Sequence, residues 1–366
     1  MSTTTAIEVE PPRYELYYRD NTWDNKREVL DGDKAVDTFN EIPLVDLSRI
    51  FSKDPEERKA VAQEIAGVCK RVGFMYIKNH GVSQDLIGEV FDLVRRFHDQ
   101  PLEKKMEVYV YKNPELRGYN EHYTNTPEGP KLKKKSFVYS YDPENDPARP
   151  ALTPAQREKC IGIHNQWPAS PTSFKEKMLE YQRELLKLSR KMMHSFALGL
   201  GTDETYFDEY VTHPFISIIL QHYAPIAPGA EDPDSLGAHT DFETFTILAQ
   251  DQLGGLEVLN KNGKYVPAPY IPGTFVVNIG DFLERISNDS FVSTVHRVRN
   301  TSGKERYSIP FFFSFNMEAD MGVIPACTSP ENSAKYGTRN LHDYTANMRK
   351  LQKKQHEDPG LDDALA

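Results

Sequence analysis

At Tyr210 the chain changes texture, and no other feature limits its fold as strongly. Beyond it lie five short runs rich in β-branched and aromatic residues, 215–223, 245–250, 274–279, 291–299 and 307–315, punctuated by Pro228-Gly229, Gly254-Gly255, Asn262-Gly263 and Pro272-Gly273. Short strands closed off by such turns are the pattern of a closed or double-sheet β architecture. Before Tyr210 the helical period dominates. Phe174, Met178, Tyr181, Leu185, Leu188, Met192 and Phe196 step by 4, 3, 4, 3, 4 and 4, one buried stripe along a helix from Pro171 to Leu200. Helices early and strands late predict an α+β chain, mainly β in its core, with a helical layer flanking a jelly roll.

The N-terminal half divides on the same signals. Residues 1–41 carry acidic and aromatic residues without periodicity and read as an extended lead-in. IPLVDL (42–47) reads as a first strand, and Val61, Ile65, Val68, Cys69 and Val72 mark a helix begun at Pro55. GFMYI (73–77) follows as a strand, then helices over 84–98 and after Pro101. Between Thr126 and Pro154 six prolines punctuate a polar stretch, which predicts loops and edge segments, with the basic run Lys131–Lys135 as a solvated loop. Ser173 and Glu176 have the spacing of a capping box. The predicted units are the lead-in 1–41, an N-terminal domain 42–170 with a loop-rich insert, a spine helix and connector 171–210, a catalytic core 211–317, and a C-terminal helix (near 341–355) and tail 318–366.

Composition excludes several classes of function. Lys plus Arg is 44 and Asp plus Glu is 54, a formal charge of -10, which disfavours a phosphate-tracking surface, so no nucleic-acid partner is expected. No apolar run approaches the roughly 20 residues that cross a bilayer, and the N-terminus lacks the basic and apolar regions of a signal peptide. Three cysteines, Cys69, Cys160 and Cys327, lie far apart, which argues against a disulfide framework or a thiolate zinc site. A soluble cytoplasmic protein with no membrane partner is the expectation.

His239-Thr240-Asp241 carries the first chemical signal. On an extended chain residues i and i+2 share a face, so an imidazole and a carboxylate project together at a strand end. With 11 histidines in the chain, such a pair alone is usually an ordinary hydrogen bond. His296, which interrupts a strand-like segment, is the best third ligand. Two histidines and one carboxylate on one face of a cation leave open positions opposite, the arrangement of non-haem Fe(II) oxygenases. Residues 292–299 and 305–313, joined by Asn300-Thr301-Ser302-Gly303-Lys304, read as a β-hairpin that sets Arg306 or Ser308 opposite His296. Arg306 and Ser308 are themselves i and i+2, so a guanidinium and a hydroxyl converge on a carboxylate pocket beside the metal.

His239-Thr240-Asp241, His296 and Arg306-Tyr307-Ser308 together resemble the HxD…H…RxS signature of the Fe(II)- and 2-oxoglutarate-dependent dioxygenases, in the branch related to isopenicillin N synthase. QDQLGGLEVL (250–259), VVNIGDFLERISND (276–289) and HRVRN (296–300) resemble that family's core; IPLVDL, VGFMYIKNHGV (72–82), RGYN (117–120) and HNQWP (164–168) resemble its N-terminal domain. The resemblance implies a double-stranded β-helix with Fe(II) on His239, Asp241 and His296. It implies 2-oxoglutarate as cosubstrate, its distal carboxylate on Arg306 and Ser308, with Tyr223 of LQHYAP as a further donor, and O2 as co-oxidant. The family's usual YPP is YAP here, at Ala224, and Tyr265 stands where tryptophan is frequent. The implied reaction couples decarboxylation of 2-oxoglutarate to succinate and CO2 with hydroxylation, desaturation or oxidative cyclisation of a small organic substrate. An iron oxidase of the same fold that uses no 2-oxoglutarate, and a non-catalytic metal-binding jelly roll, stay open at this point, as do the main substrate and the oligomeric state.

Other polar residues receive structural roles. His80, His222 and Arg297 are expected to pack or pair away from the metal, Asn278 and Asp281 to organise strand ends, and Tyr119, Tyr139 and Tyr141 to be core or surface rather than pocket.

Overall fold

In the computed structural model, residues 13–19, 22–126, 129–148, 152–155, 164–226 and 234–343 are described. The turn at Pro228-Gly229, most of the helix expected near 341–355 and the C-terminal tail lie outside them. Two facing sheets form the core. The larger runs in the order β3 (Leu44–Asp46), β4 (Phe74–Lys78), β12 (Thr274–Ile279), β9 (Phe245–Gln250), β14 (Arg306–Phe313), β7 (Ile216–Tyr223), β6 (Gly129–Ser140), β5 (Gly118–Thr126). The smaller runs β11 (Tyr265–Ala268), β10 (Leu256–Leu259), β13 (His296–Arg299), β8 (Asp234–His239), β1 (Tyr14–Arg19), β2 (Thr22–Glu28). This is the jelly roll flanked by helices that the strand pattern predicted.

Helices cover the outer face of the large sheet. α1 (Pro55–Arg71) starts at Asp54, whose carboxylate accepts from the Glu56 amide, with Pro55 in the first turn where its missing N–H costs nothing. α2 (Gln84–His98) starts at Ser83 in the same way, α3 (Leu102–Met106) is a short turn, and α4 (Phe174–Gly199) is the spine. The outward residues of the sheet meet them as aromatic pairs: Phe137 lies 5.1 Å from Phe97 of α2 and Phe245 5.3 Å from Phe196 of α4. The inward residues face the small sheet, where the chemistry sits.

Three expectations are corrected. The lead-in is not merely extended: β1 and β2 pair and extend the small sheet, with Tyr18 opposite His239. Tyr17 packs with Ala238, Leu259 and Val295, a long-range anchor that local periodicity cannot report. The basic run is not a solvated loop but part of β6, an interior strand between β5 and β7. No proline falls between Pro130 and Pro143, which leaves room for one long strand, and Lys133, Lys134 and Lys135 are half-buried on it. Ser173 forms no capping box; it sits at φ 65° and its side chain caps nothing.

The segment 142–148 is fixed to the spine by Asp146, whose buried carboxylate takes both terminal nitrogens of Arg190 at 2.8 and 2.7 Å. Burial alone would raise this carboxyl, but Arg190 and the Tyr141 hydroxyl hold it below the usual range. Its contribution to stability is therefore present above the unfolded value near 4 and lost as pH falls through the lower folded value. Arg190→Met is expected to cost about 3–5 kcal/mol at neutral pH, with a deficit that shrinks in acid; denaturant unfolding across the pH range checks both.

Gly73 joins the N-terminal unit to the metal-bearing strand. Its φ is 71°, and a Cβ there would stand 2.1 Å from the Val292 carbonyl oxygen and 2.7 Å from Thr294 Oγ1. Its own carbonyl accepts from Ile279, while Thr294 donates to Val72. Gly73→Ala combines a left-handed backbone with a clash against backbone, about 2–5 kcal/mol together. Chemical denaturation is the check, and a variant as stable as the parent would refute the account.

Candidate metal centre and carboxylate clamp

Strand pairing brings the two histidines together. His239 ends β8 and His296 begins β13, directly opposite each other, with ring centroids 4.2 Å apart. Asp241 follows in the turn after β8. That turn is pinned by the start of α5 (Asp281–Ile286): the Asp281 amide donates to the Asp241 carbonyl at 2.8 Å, and Thr240 donates to Asp281 Oδ2 at 3.0 Å. Asp281 thus holds the turn, as a strand-end organiser should.

The free lone pairs converge. Each imidazole uses Nδ1 on a backbone carbonyl two residues upstream, His239 on Gly237 at 2.8 Å and His296 on Thr294 at 3.1 Å. Both Nε2 atoms are left turned towards Asp241 Oδ1, each 3.7 Å away, too far for a direct hydrogen bond. The other carboxylate oxygen, Oδ2, accepts from Thr246 Oγ1 at 2.6 Å and from Asn278 Nδ2 at 2.8 Å. Three ligand atoms on one side, with their opposite atoms already bonded, are what a small divalent cation needs. The donor atoms of the three residues lie within 4.8 Å of one another.

The charge state suits a cation as well. Burial pushes His239 down to about 4, so at neutral pH its ring is uncharged. Burial by itself would raise Asp241, yet the two imidazoles, Thr246 and Asn278 hold it below the carboxylate range. Two imidazole nitrogens and one carboxylate oxygen fit Fe(II), whereas a structural zinc site normally closes with a fourth protein ligand.

A second feature stands on the inner face of the large sheet. Arg306 is 1% exposed; it donates through Nε to the Gly254 carbonyl and through Nη1 to Ser308 Oγ at 3.1 Å, and its guanidinium lies 4.8 Å over the Tyr223 ring. Its Nη2 is buried without a hydrogen-bond partner, and among the described residues it pairs with no carboxylate. A buried cation in that condition is costly unless a ligand completes it. The carboxylate end of a keto acid fits this clamp.

The hairpin that suggested Arg306 does not exist. β13 pairs with β8 and β10 in the small sheet, while β14 pairs with β7 and β9 in the large one. In a jelly roll successive strands cross between sheets, so the link 300–305 is a crossover rather than a turn. The i, i+2 relation survives because it depends only on β14 being extended. Sequence reasoning missed Thr246 altogether. Alternation along 245–250 puts Thr246 on the same face as Leu248 and Gln250, which was the available signal.

The remaining assignments hold. His80 accepts from the Val82 amide and packs on Phe275; His222 faces outward against Tyr307 and His98; Arg297 pairs with Glu257 at 2.7 Å and lies on the Tyr265 ring. Tyr119, Tyr139 and Tyr141 are core residues. Asn278 does more than order a strand end, since it touches the Asp241 carboxylate directly.

Comparison with known proteins agrees with this chemistry. Residues 42–170 match the family profile "non-haem dioxygenase in morphine synthesis N-terminal", and residues 215–315 match "2OG-Fe(II) oxygenase superfamily". The 2-oxoglutarate-Fe(II) type oxidoreductase ppzC of Metarhizium majus is 37% identical over 353 residues, 92% of this chain and 94% of that protein. Homoarginine-6-hydroxylase 2-ODD-233 of Oryza sativa is 33% identical, over 79% of this chain and 90% of its own. A full-length Neurospora crassa protein, solved in complex with α-ketoglutarate and thymine, superposes with a TM-score of 0.71 at 31% identity, covering 84% of this chain and 96% of that one. The chain is an oxidoreductase that takes Fe(II) as its metal and 2-oxoglutarate as its cosubstrate. It belongs to the 2-oxoglutarate- and Fe(II)-dependent oxygenases, in the branch related to isopenicillin N synthase.

Proposed function

We propose that His239, Asp241 and His296 hold the iron, that Arg306, Ser308 and Tyr223 hold 2-oxoglutarate, and that the enzyme oxidises a small organic molecule. The observation that carries the assignment is the convergence of His239 Nε2, His296 Nε2 and Asp241 Oδ1, each with its opposite atom already satisfied. Bound there with 2-oxoglutarate and O2, Fe(II) supplies the oxidising power for hydroxylation, desaturation or cyclisation, with succinate and CO2 as coproducts. The chain's own residues bind and orient. Thr246 and Asn278 turn Asp241 so that a single oxygen faces the metal. Arg306, fixed by Gly254 and Ser308, sets the depth at which the keto acid lies, and the Tyr223 ring walls it on one side. Homoarginine and thymine, named with two relatives, support a compact organic substrate for this chain. Nothing in this reading requires a nucleic-acid or membrane partner, and no helix among the described residues is long and apolar enough to cross a membrane.

The test is anaerobic absorption of the Fe(II)-loaded enzyme before and after adding 2-oxoglutarate. A new charge-transfer band is expected, followed by Fe(II)-dependent succinate formation once O2 is admitted. Bound iron with no band would move the carboxylate on Arg306 to the main substrate and overturn the reading. Within the same site, Thr246→Val removes the 2.6 Å bond to Asp241 and leaves Asn278 in place. Metal affinity is expected to fall about 10- to 100-fold, checked by anaerobic Fe(II) titration against an unchanged melting temperature.

A further inference from the structure

The strand register places a cation next to this site that none of the above uses. Arg306 of β14 is opposite Tyr223 of β7, Tyr223 is opposite Lys134 of β6, and Lys134 is opposite His122 of β5. Directly opposed residues project from the same face, so Lys134 points inward in one cross-strand row with the clamp. The next row inward of the strand ends holds Ser308, Gln221, Ser136 and Asn120. Their neighbours Phe137 and Leu220 take the outer face and pack in the core.

Lys134 is half-buried, and among the described residues its ammonium makes no hydrogen bond and no ion pair. The acid nearest to it in the pairing, Glu121, projects from the opposite face, where the Tyr119 and Tyr123 hydroxyls donate to it. Gln221 is 6% exposed and its Oε1 is buried without a partner. Ser136 Oγ and Asn120 Nδ2 make only long contacts, 3.5 and 3.4 Å, to His122 Nε2. The row therefore presents an uncompensated ammonium beside weakly engaged polar groups. Burial, with the Lys133 charge next, pushes Lys134 down to about 8.

We propose that Lys134 is a specificity-determining residue that receives a carboxylate of the main substrate, with the amide of Gln221 and the hydroxyl of Ser136 beside it. The inference rests on the assignment of Arg306 to 2-oxoglutarate. Two strand spacings, roughly 10 Å, separate the Lys134 and Arg306 backbones, and the Tyr223 ring stands between them. One small keto acid seated on Arg306 therefore leaves Lys134 to a second molecule. A half-buried lysine with no internal partner is retained at a cost, and an acidic ligand that enters with each turnover repays it while neutral analogues leave the ammonium unpaired.

The experiment uses the full chain loaded with Fe(II) and 2-oxoglutarate. The probes are the L-amino acids, their N-acetyl derivatives and simple aryl and alkyl carboxylic acids, each beside its primary carboxamide. Stimulated 2-oxoglutarate consumption and oxidised product are measured for the parent, Lys134→Met and Lys134→Arg. The expected result is stimulation by acids and not by their amides. For the best acid, KM should rise about 10- to 100-fold in Lys134→Met and recover in part in Lys134→Arg. The charge-transfer band and the affinity for 2-oxoglutarate should be unchanged in both, which a merely structural lysine or a second anchor for 2-oxoglutarate would not allow. Stimulation by neutral or cationic probes only, by no acid at all, or equally in parent and Lys134→Met, overturns the inference. If the parent itself shows no band, the Arg306 assignment fails and takes this one with it; a normal band with no response to acids overturns this one alone.

Discussion

Arg306→Ala is expected to remove 2-oxoglutarate binding while leaving the iron in place. The guanidinium is buried, anchored by Gly254 and Ser308, and has one nitrogen with no protein partner. Two effects compete when it is truncated. The free protein loses packing and two hydrogen bonds but is also relieved of a buried, unpaired cation, so its melting temperature should change little. The complex loses its anchor: a carboxylate would enter a buried site with no counter-charge, and truncating one partner of a buried pair costs about 3–5 kcal/mol, or roughly 10²–10⁴ in affinity. Arg306→Lys keeps the charge but not the fork, and a point charge cannot bond Gly254, Ser308 and a carboxylate at once. Its affinity should fall between the two. The charge-transfer band titrated with 2-oxoglutarate separates these cases, and parental affinity in Arg306→Ala would sink the clamp.

Loss of metal from Asp241 and His239 variants is the second large effect. Asp241 carries the only negative charge of the triad, and its removal leaves two imidazole rings and two donors, from Thr246 and Asn278, aimed at the same point. Asp241→Ala is expected to weaken Fe(II) binding by at least about 10²-fold, and His239→Ala to do so by deleting one ligand outright. Asp241→Asn separates charge from shape, since it keeps the volume and one acceptor. If iron content measured by elemental analysis follows charge, the Asn variant behaves like the Ala variant. Retention of one iron per chain in Asp241→Ala would show that the metal sits elsewhere.

The two effects differ in how visible their residues were beforehand. His239 and Asp241 are two apart, and an extended backbone alone puts them on one face; the same local rule placed Arg306 and Ser308 together. His296 needed an identity argument, because nothing local connects positions 239 and 296. Their meeting depends on β8 and β13 lying side by side. The hairpin expected across 292–313 does not form, and Arg306 and Ser308 still share a face because the i, i+2 relation is indifferent to which strand lies opposite.

The periods of the sequence determined the parts of this protein: the spine helix from its 4, 3, 4, 3 stripe, the core strands from short apolar runs and turns, and the paired side chains from alternation. These are properties of a residue and its near neighbours, which is why they can be read from one chain. Tertiary structure decided the rest. It turned a lead-in into strands beside His239, drew the lysine run into the middle of a sheet, and set Thr246 and Asn278 on Asp241. It also aligned Lys134, Tyr223 and Arg306 in one row across three strands. The physical reason is that strand pairing is long-range: the hydrogen bonds that fix register join segments tens to hundreds of residues apart, and a slip of one residue would turn every one of these side chains to the other face.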